Sequence, residues 1–199
     1  MAYSNYSIPK LKQQFQLEQN NVVLFDKKRV KTVKPSRRLM LELEEGQIMP
    51  LLSEKAKSEL LISPILREVL RNNPFLSIFS GYTFNIEGHE ELSGAPDFLI
   101  SNKPNKVEIE APVFCLVESK NRTPDEGYAQ CAAEMYAARL FNHQMGEPYQ
   151  YIYGAVTNAF EWVFLKLHDN YILIDQERYF INEIPKLLGA FQIIVDENK

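Results

Sequence analysis

Three ionisable residues at the ends of two apolar runs have the types and spacing expected of a metal-dependent hydrolase. Asp97 opens one apolar run, and Glu118 and Lys120 close another. Two carboxylates supply the oxygen ligands that Mg²⁺ prefers, and this ion usually keeps several waters. A lysine beside them can stabilise charge that develops on a phosphate, or can hold the attacking water. The pattern therefore predicts hydrolysis of a phosphodiester.

The apolar runs indicate two strands that bring these residues together. Pro112 to Val117 is continuously apolar and bounded by turn residues, as in a strand buried on both faces. Side chains alternate along a strand, so Glu118 and Lys120 point the same way. An antiparallel hairpin centred near Val107-Glu108 pairs residues whose numbers sum to 215. Asp97 and Glu118 satisfy that sum, and the two carboxylates are expected to lie side by side.

The alternative is a surface hairpin that carries a solvated glutamate–lysine pair. A chain with 26 acidic and 22 basic residues produces such spacings by chance. Ionised groups at the inner end of a buried strand, however, cost several kcal/mol unless they are partnered. The apolar composition of the second run therefore favours the functional interpretation.

A helix over residues 53–72 is predicted to add a third carboxylate. Ser53 can cap it, and Pro64 either kinks it or restarts it. At 100° per residue, Glu59 falls on the apolar stripe of this helix, whereas Glu68 falls on the opposite face. Glu59 is therefore expected to face inward as a metal ligand. The alternative is a carboxylate that reaches solvent or pairs with Lys55.

A second helix is predicted after the turn segment 121–127, and it continues through His143. Gln130 and Glu134 share one of its faces with small alanines, which allow the helix to lie close to the sheet. Gln130 is therefore expected beside the end of the Glu118 strand. There its amide can orient a phosphate or the nucleophilic water, or it can simply satisfy local backbone groups.

Composition favours one domain with a full core, since the chain has 199 residues of which 45% are hydrophobic. We expect residues 1–50 to form an extension that packs on or leads into the core, and 51–199 to form the domain proper. No apolar run approaches the roughly eighteen residues of a membrane span, and no signal-peptide pattern is present, so a cytoplasmic location without membrane contact is expected. Cys115 and Cys131 are expected to be reduced and packed, without a zinc site.

Basic residues are concentrated in one segment, although the net charge of −4 argues against a general nucleic-acid binder. Residues 27–38 contain seven basic residues and no acidic residue. Such a segment can supply phosphate contacts, and the alternative is a solvated connector. The basic residues are Lys27, Lys28, Arg29, Lys31, Lys34, Arg37 and Arg38.

The rest of the chain shows alternating helix and strand signals. Gly81 is predicted to form a bulge in a strand over residues 75–86. The predicted segments are helix 8–17, strand 22–25, strand 75–86, helix 36–45, strands 149–156, 160–167 and 171–174, and helix 184–195.

The order of these elements resembles the PD-(D/E)XK nuclease superfamily, also called the restriction-endonuclease-like fold. The residues that carry the resemblance are Glu59 on its helix, Pro96-Asp97, Glu118-Ser119-Lys120 and Gln130. The resemblance covers roughly residues 53–167. It implies an α/β fold, in which a mixed central sheet is flanked by helices.

The resemblance also implies a nuclease that uses Mg²⁺ or Mn²⁺, with DNA as the expected partner. Asp97 and Glu118 would be metal ligands, and Lys120 would stabilise the transition state or position water. Glu59 would be an accessory acid and metal ligand. Gln130 would orient a phosphate or water.

Two further features bear on the resemblance. The segment from Tyr153 to Trp162 resembles a strand-turn-strand unit of type I restriction-enzyme nuclease domains and related small proteins. Four residues after Gln130, Glu134 stands where a tyrosine would match the family.

Three classes of function follow from these observations. The first is the nuclease, the second is an inactive member of that fold acting as a nucleic-acid or protein interaction module, and the third is an unrelated α/β enzyme. No glycine-rich phosphate loop or Ser-His-Asp arrangement supports the third class. Cutting both DNA strands commonly takes two active sites, so a two-fold homodimer is the expected assembly.

Overall fold

The computed structural model describes residues 2–26, 28–104 and 107–199. The strands in this part of the chain are β1 (Glu18–Val22), β2 (Ser77–Ser80), β3 (Phe98–Ser101), β4 (Val113–Ser119), β5 (Tyr151–Thr157), β6 (Glu161–His168), β7 (Tyr171–Asp175) and β8 (Tyr179–Phe180). The helices are α1 (Ile8–Phe15), α2 (Arg37–Gln47), α3 (Glu54–Lys57), α4 (Ser63–Asn72), α5 (Tyr128–Gln144) and α6 (Ile184–Asp196).

The eight described strands form one mixed sheet in the order β1-β7-β6-β5-β4-β3-β2, and β8 pairs with β6. The pairs β1–β7 and β4–β5 are parallel, and the other pairs are antiparallel. Helices α1 and α5 pack on one face, while α2, α4 and α6 pack on the other. Because helices cover both faces, the central strands are mostly apolar, and the expected α/β architecture with a flanked mixed sheet is confirmed.

The N-terminal residues are part of this architecture. Strand β1 forms one edge of the sheet, and Leu11 of α1 is fully buried. Two strand predictions were wrong in their bounds. The first strand is Glu18–Val22 rather than 22–25, and the strand predicted over 75–86 is limited to Ser77–Ser80. Gly81 follows that strand with φ +67°, and its left-handed backbone forms the turn after β2 rather than a bulge within it.

Strands β3 and β4 form the predicted antiparallel hairpin. Phe98 lies opposite Val117, and Leu99 lies opposite Leu116, so the predicted register is confirmed at the end that carries Asp97 and Glu118. It shifts by one residue after Ile100, and Ser101 lies opposite Val113. All seven residues of β4 are buried. Asp97 directly precedes β3, and continuation of this register places it opposite Glu118.

The helical stretch that begins at α3 has a serine N-cap and is interrupted by a π turn. The Ser53 hydroxyl accepts a hydrogen bond from the Ala56 N–H at 3.1 Å. Between α3 and α4, Ser58–Ile62 forms a π turn, in which the Ser63 N–H bonds to the Ser58 carbonyl. Pro64 has no N–H to offer to the preceding turn, which favours this wider hydrogen-bond pattern.

Helix α5 lies unusually close to the sheet beneath β4 and β5. A Cβ on Gly154 would lie 2.6 Å from both Cys131 Sγ and Met135 Sδ, so glycine permits the close approach. Asn142 then fixes the helix to the sheet, because its amide bonds both the N–H and the carbonyl of Val113 at 2.8 and 2.7 Å. The contact at Gly154 positions the start of α5 at the end of β4, whereas the Asn142 bonds lie at the opposite end of both elements.

Two compositional predictions can be compared with the described residues. Cys115 and Cys131 are buried free thiols, as expected. No helix in ranges 2–26, 28–104 and 107–199 has the length and apolar composition needed to cross a membrane.

Candidate metal and catalytic site

Asp97 and Glu118 meet at the open end of the β3–β4 hairpin, where β3 begins and β4 ends. The Ser119 N–H donates a hydrogen bond to Asp97 Oδ2 at 2.7 Å, which holds this carboxylate against the end of β4. The Glu118 side chain is only 4% exposed. The structure therefore brings together the two carboxylates that the register predicted.

Lys120 completes this group from the residue after β4. Its ammonium donates to Glu118 Oε1 at 2.8 Å and to Gln130 Oε1 at 2.9 Å. Its backbone N–H bonds the Thr157 carbonyl at 2.8 Å, which anchors the chain beside β5. An ammonium has three N–H donors, and the described residues provide only these two acceptors. One donor therefore remains for a ligand.

Burial and mutual repulsion perturb the two carboxyl groups. Burial raises the pKa of Glu118 to about 7, the neighbouring Asp97 charge adds to the increase, and Lys120 opposes it. Burial also raises the pKa of Asp97. For Lys120, burial favours the neutral amine, but the charge and hydrogen bond of Glu118 and the charges of Glu54 and Asp97 together outweigh it, so the pKa is raised. The site thus places two carboxyl groups beside the Lys120 ammonium, which stays positively charged.

Gln130 lies where the sequence predicted it, and both ends of its amide are engaged. Its carbonyl oxygen accepts from Lys120, and its Nε2 donates to Glu134 Oε1 at 3.1 Å. Glu134 is fully buried. Burial, followed by the nearby Glu118 charge, raises the pKa of Glu134 well above its ordinary value. The helical spacing correctly predicted that Glu134 shares the sheet-facing side of α5 with Gln130, but no role was predicted for it.

Glu59 does not face the sheet, so the prediction of an inward accessory ligand was wrong. Its side chain is 65% exposed, and its nearest cation is Lys55 at 3.9 Å, which is the alternative considered from the sequence. The π turn Ser58–Ile62 changes the rotation per residue just where the 100° extrapolation crossed it. Glu59 lies at the margin of the cleft described below.

Glu54 is the carboxylate of this helix that acts on the site. Its charge raises the pKa of both Asp97 and Lys120, after the larger effects of burial and of nearer groups. Glu54 occupies the first turn of α3, immediately after the Ser53 cap, where acidic residues are favoured for helix stability alone. Because this preference already accounts for an acidic residue at position 54, the sequence did not indicate that Glu54 lies beside the candidate site.

A cleft of about 720 Å³ opens beside Asp97. Lys57, though 8% exposed, donates to the Asn121 carbonyl at 2.6 Å and thereby ties α3 to the segment after Lys120. The residues that line the cleft include Ser53, Glu54, Ser58, Glu59, Gly81, Asp97 and Asn121. The candidate site is therefore open to a ligand from the side of α3.

The basic segment lies elsewhere. Lys27 falls outside the described residues, and none of the other six basic residues lines this cleft. The Val33 N–H bonds the Pro185 carbonyl at 2.9 Å, which holds the segment along α6. Arg29 pairs with Asp26, and Arg38 pairs with Glu42. A role of this segment in phosphate binding stays a prediction.

The donor set fits a divalent cation in chemistry, although it is not a preassembled cluster. Across the described ranges, no three His, Cys, Asp or Glu side chains form a group ready to hold a metal ion. Asp97 and Glu118 nevertheless offer carboxylate oxygens. No N–H donor in the part of the chain that the structure describes reaches the buried Glu118 Oε2, and the Glu134 carboxyl group hydrogen-bonds the Glu118 side chain. A buried carboxylate oxygen without a partner is costly unless a cation or a proton satisfies it.

No protein-family model matches the chain, and no curated protein is similar to it in sequence. The class of the molecule is therefore defined by its own geometry. It is an α/β protein with a paired carboxylate and a hydrogen-bonded lysine at the end of a buried central strand.

Proposed function

We propose that the protein is a metal-dependent nuclease of the restriction-endonuclease-like fold, with DNA as the expected substrate. The observation that carries the proposal is the position of Lys120. Its ammonium is held by Glu118 and Gln130 beside the carboxylate pair, with one donor unused. This combination matches the needs of phosphodiester hydrolysis, in which negative charge develops next to a metal site.

The topology around the site supports the same class. The antiparallel hairpin β3–β4 is followed by α5 and then by β5, which pairs in parallel with β4. This is the order of elements on which the resemblance to PD-(D/E)XK nucleases rests. The eight-stranded sheet extends beyond that common unit on the β6–β7–β1 side.

The residues divide the work between holding a cation and stabilising charge. Asp97 and Glu118 would hold Mg²⁺ or Mn²⁺, and Glu54 adds negative charge at the same cleft. The ion, when bound, supplies an activated water and neutralises phosphate charge. Lys120 offers its third N–H to a phosphate oxygen or to the attacking water. Gln130 acts through Lys120, since both ends of its amide already have protein partners.

Cleavage assays with defined probes test this function. Supercoiled plasmid, a single-stranded DNA oligonucleotide and an RNA oligonucleotide are incubated with Mg²⁺, Mn²⁺ or EDTA. Cleavage of at least one probe with either ion, and none in EDTA, is expected. Folded protein that cuts none of the three probes with either ion would contradict the proposal.

The exposed position of Glu59 and the ligand role predicted for it from the sequence lead to different expected results for its substitution. Glu59→Gln is expected to change the cleavage rate by less than about twofold, because an exposed carboxylate contributes little. Glu54→Gln, on the same cleft, is expected to reduce the rate more, since the Glu54 charge reaches Asp97 and Lys120. Metal-dependent rates of both variants are compared on the probe that wild type cuts best. A larger loss for Glu59→Gln would restore the ligand role predicted from the helix stripe.

A further inference from the structure

We propose that Glu134 is a positioning residue, which fixes the Gln130 amide and, through it, Lys120. Its catalytic meaning rests on the proposed nuclease function. The positioning itself follows from hydrogen-bond geometry and can be measured without cleavage.

The contacts form one connected line from helix to site. Glu134 Oε1 accepts from Gln130 Nε2 at 3.1 Å, and Gln130 Oε1 accepts from Lys120 Nζ at 2.9 Å. The same ammonium donates to Glu118 Oε1 at 2.8 Å. Glu134 and Gln130 are four residues apart on α5, so the helix itself sets their spacing.

Hydrogen-bond donors and acceptors allow only one orientation of the Gln130 side-chain amide between Lys120 and Glu134. An ammonium can only donate, so Gln130 must turn its carbonyl oxygen towards Lys120. The Gln130 NH₂ then faces Glu134 and needs an acceptor there. Without that acceptor the amide is free to rotate, and Lys120 loses one of the two groups that hold it.

Stability does not explain a carboxyl group at this position. Glu134 is fully buried, no N–H donor among the described residues reaches its Oε2, and its carboxyl group shares a hydrogen bond with Glu118. None of the ion pairs in these ranges includes Glu134. Its helix neighbours Ala133 and Met135 are buried apolar side chains. An apolar residue of similar volume is usually neutral or stabilising at such a site. The side chain is therefore best explained by its bonds to the site, one accepted from Gln130 and one shared with Glu118.

Two substitutions separate positioning from folding. Glu134→Leu is expected to raise the melting temperature by a few degrees, because it removes a fully buried carboxyl group that lies beside Glu118. It is also expected to slow Mg²⁺-dependent plasmid cleavage by roughly 10- to 100-fold, the usual effect of losing an outer-shell partner. Glu134→Gln keeps an acceptor for Gln130 and is expected to cleave several times faster than the leucine variant.

Asn142→Ala is the matched control on the same helix. It removes the two bonds to Val113 and is expected to lower the melting temperature, while folded protein keeps the wild-type cleavage rate. All rates are measured well below the lowest melting temperature. If Glu134→Leu cleaves as fast as wild type, or loses activity only in proportion to lost folded protein, the positioning role is overturned.

A spectroscopic readout keeps this inference distinct from the nuclease proposal. The Gln130 side-chain amide is assigned in a ¹⁵N–¹H spectrum by its loss in Gln130→Met. In Glu134→Leu its two proton signals are expected to shift and to exchange faster with water, whereas Glu134→Gln retains protection. Unchanged signals in the leucine variant would overturn the inference. If wild type cuts no probe, the nuclease proposal fails and this measurement alone decides the positioning role.

Discussion

Lys120→Met is expected to reduce metal-dependent cleavage by roughly 10²- to 10³-fold, the usual effect of removing one donor to developing charge. The ammonium is hydrogen-bonded to Glu118 and Gln130 and has one donor left for substrate. Methionine keeps an unbranched apolar stem, so the packing of this mostly buried side chain is retained. The loss should appear in the single-turnover rate on the plasmid or oligonucleotide that wild type cuts.

Lys55, which lines the cleft beside Asp97, provides the control for charge alone. Lys55 is 84% exposed, and Lys55→Met is expected to stay within about twofold of wild type. Both variants should show the circular dichroism of the folded protein. Cleavage by Lys120→Met at the wild-type rate would remove the residue that carries the functional proposal.

The hairpin that builds the site could be predicted because strand periodicity leaves little choice. One face of each strand must be buried, and a shift of one residue would reverse every side chain. The observed pair Phe98–Val117 follows directly from the two apolar runs and their separation. The opposition of Asp97 and Glu118 is a consequence of the same register.

The helix that ends at Asn72 could not be predicted to the same accuracy, since its phase depends on a single irregular turn. The π turn before Pro64 displaces Glu59 to the surface. Glu68, expected on the opposite face, is 2% exposed because Ser36 docks on it. The Ser36 N–H and hydroxyl donate to its carboxylate at 2.7 and 2.9 Å. A contact across 32 residues leaves no local sequence signal.

Glu54 and Glu134 were missed for a different reason, which is that each has an ordinary helical explanation. An acidic residue after a serine cap stabilises a helix by itself, and a glutamate four residues from a glutamine is common on solvated helix faces. The alanines of α5 indicated a face close to the sheet, but only the observed packing shows that Glu134 is fully buried on it. Charged residues of a site can therefore be recognised from the sequence when they interrupt an apolar strand. They cannot be recognised when they occur at positions where a helix commonly has charged residues.

Glu118→Gln is expected to abolish metal-dependent cleavage and, in metal-free buffer, to make the protein more stable. The glutamine keeps an oxygen that can accept from Lys120, and it removes the repulsion between Glu118 and Asp97. Because burial and Asp97 raise the pKa of Glu118 to about 7, the folded protein binds a proton more tightly than the unfolded chain does. The ionised carboxylate therefore costs stability as pH rises through the interval from about 4.3 to 7.

The gain from Glu118→Gln is thus small near pH 5 and largest above pH 7, on the order of 3 kcal/mol by linkage. Urea unfolding in EDTA at pH 5 and pH 8 measures it, and an equal difference at both pH values would contradict the buried charged pair. Asp175→Asn is the control, since burial raises the pKa of Asp175 to about 6 on a strand far along the sheet order from β4. It should show a pH-dependent change without any response to Mg²⁺.

Addition of Mg²⁺ should reverse the order of stability at pH 8. A cation that binds only the folded state stabilises it by mass action, and wild type retains both carboxylates that would hold the ion. Glu118→Gln lacks one of them and should gain much less. Wild type that gains no stability from Mg²⁺ or Mn²⁺ at pH 8 would show that the pair does not bind these ions on its own. A reversal would show that Glu118 is retained at the expense of stability in the metal-free protein because a bound cation repays its burial.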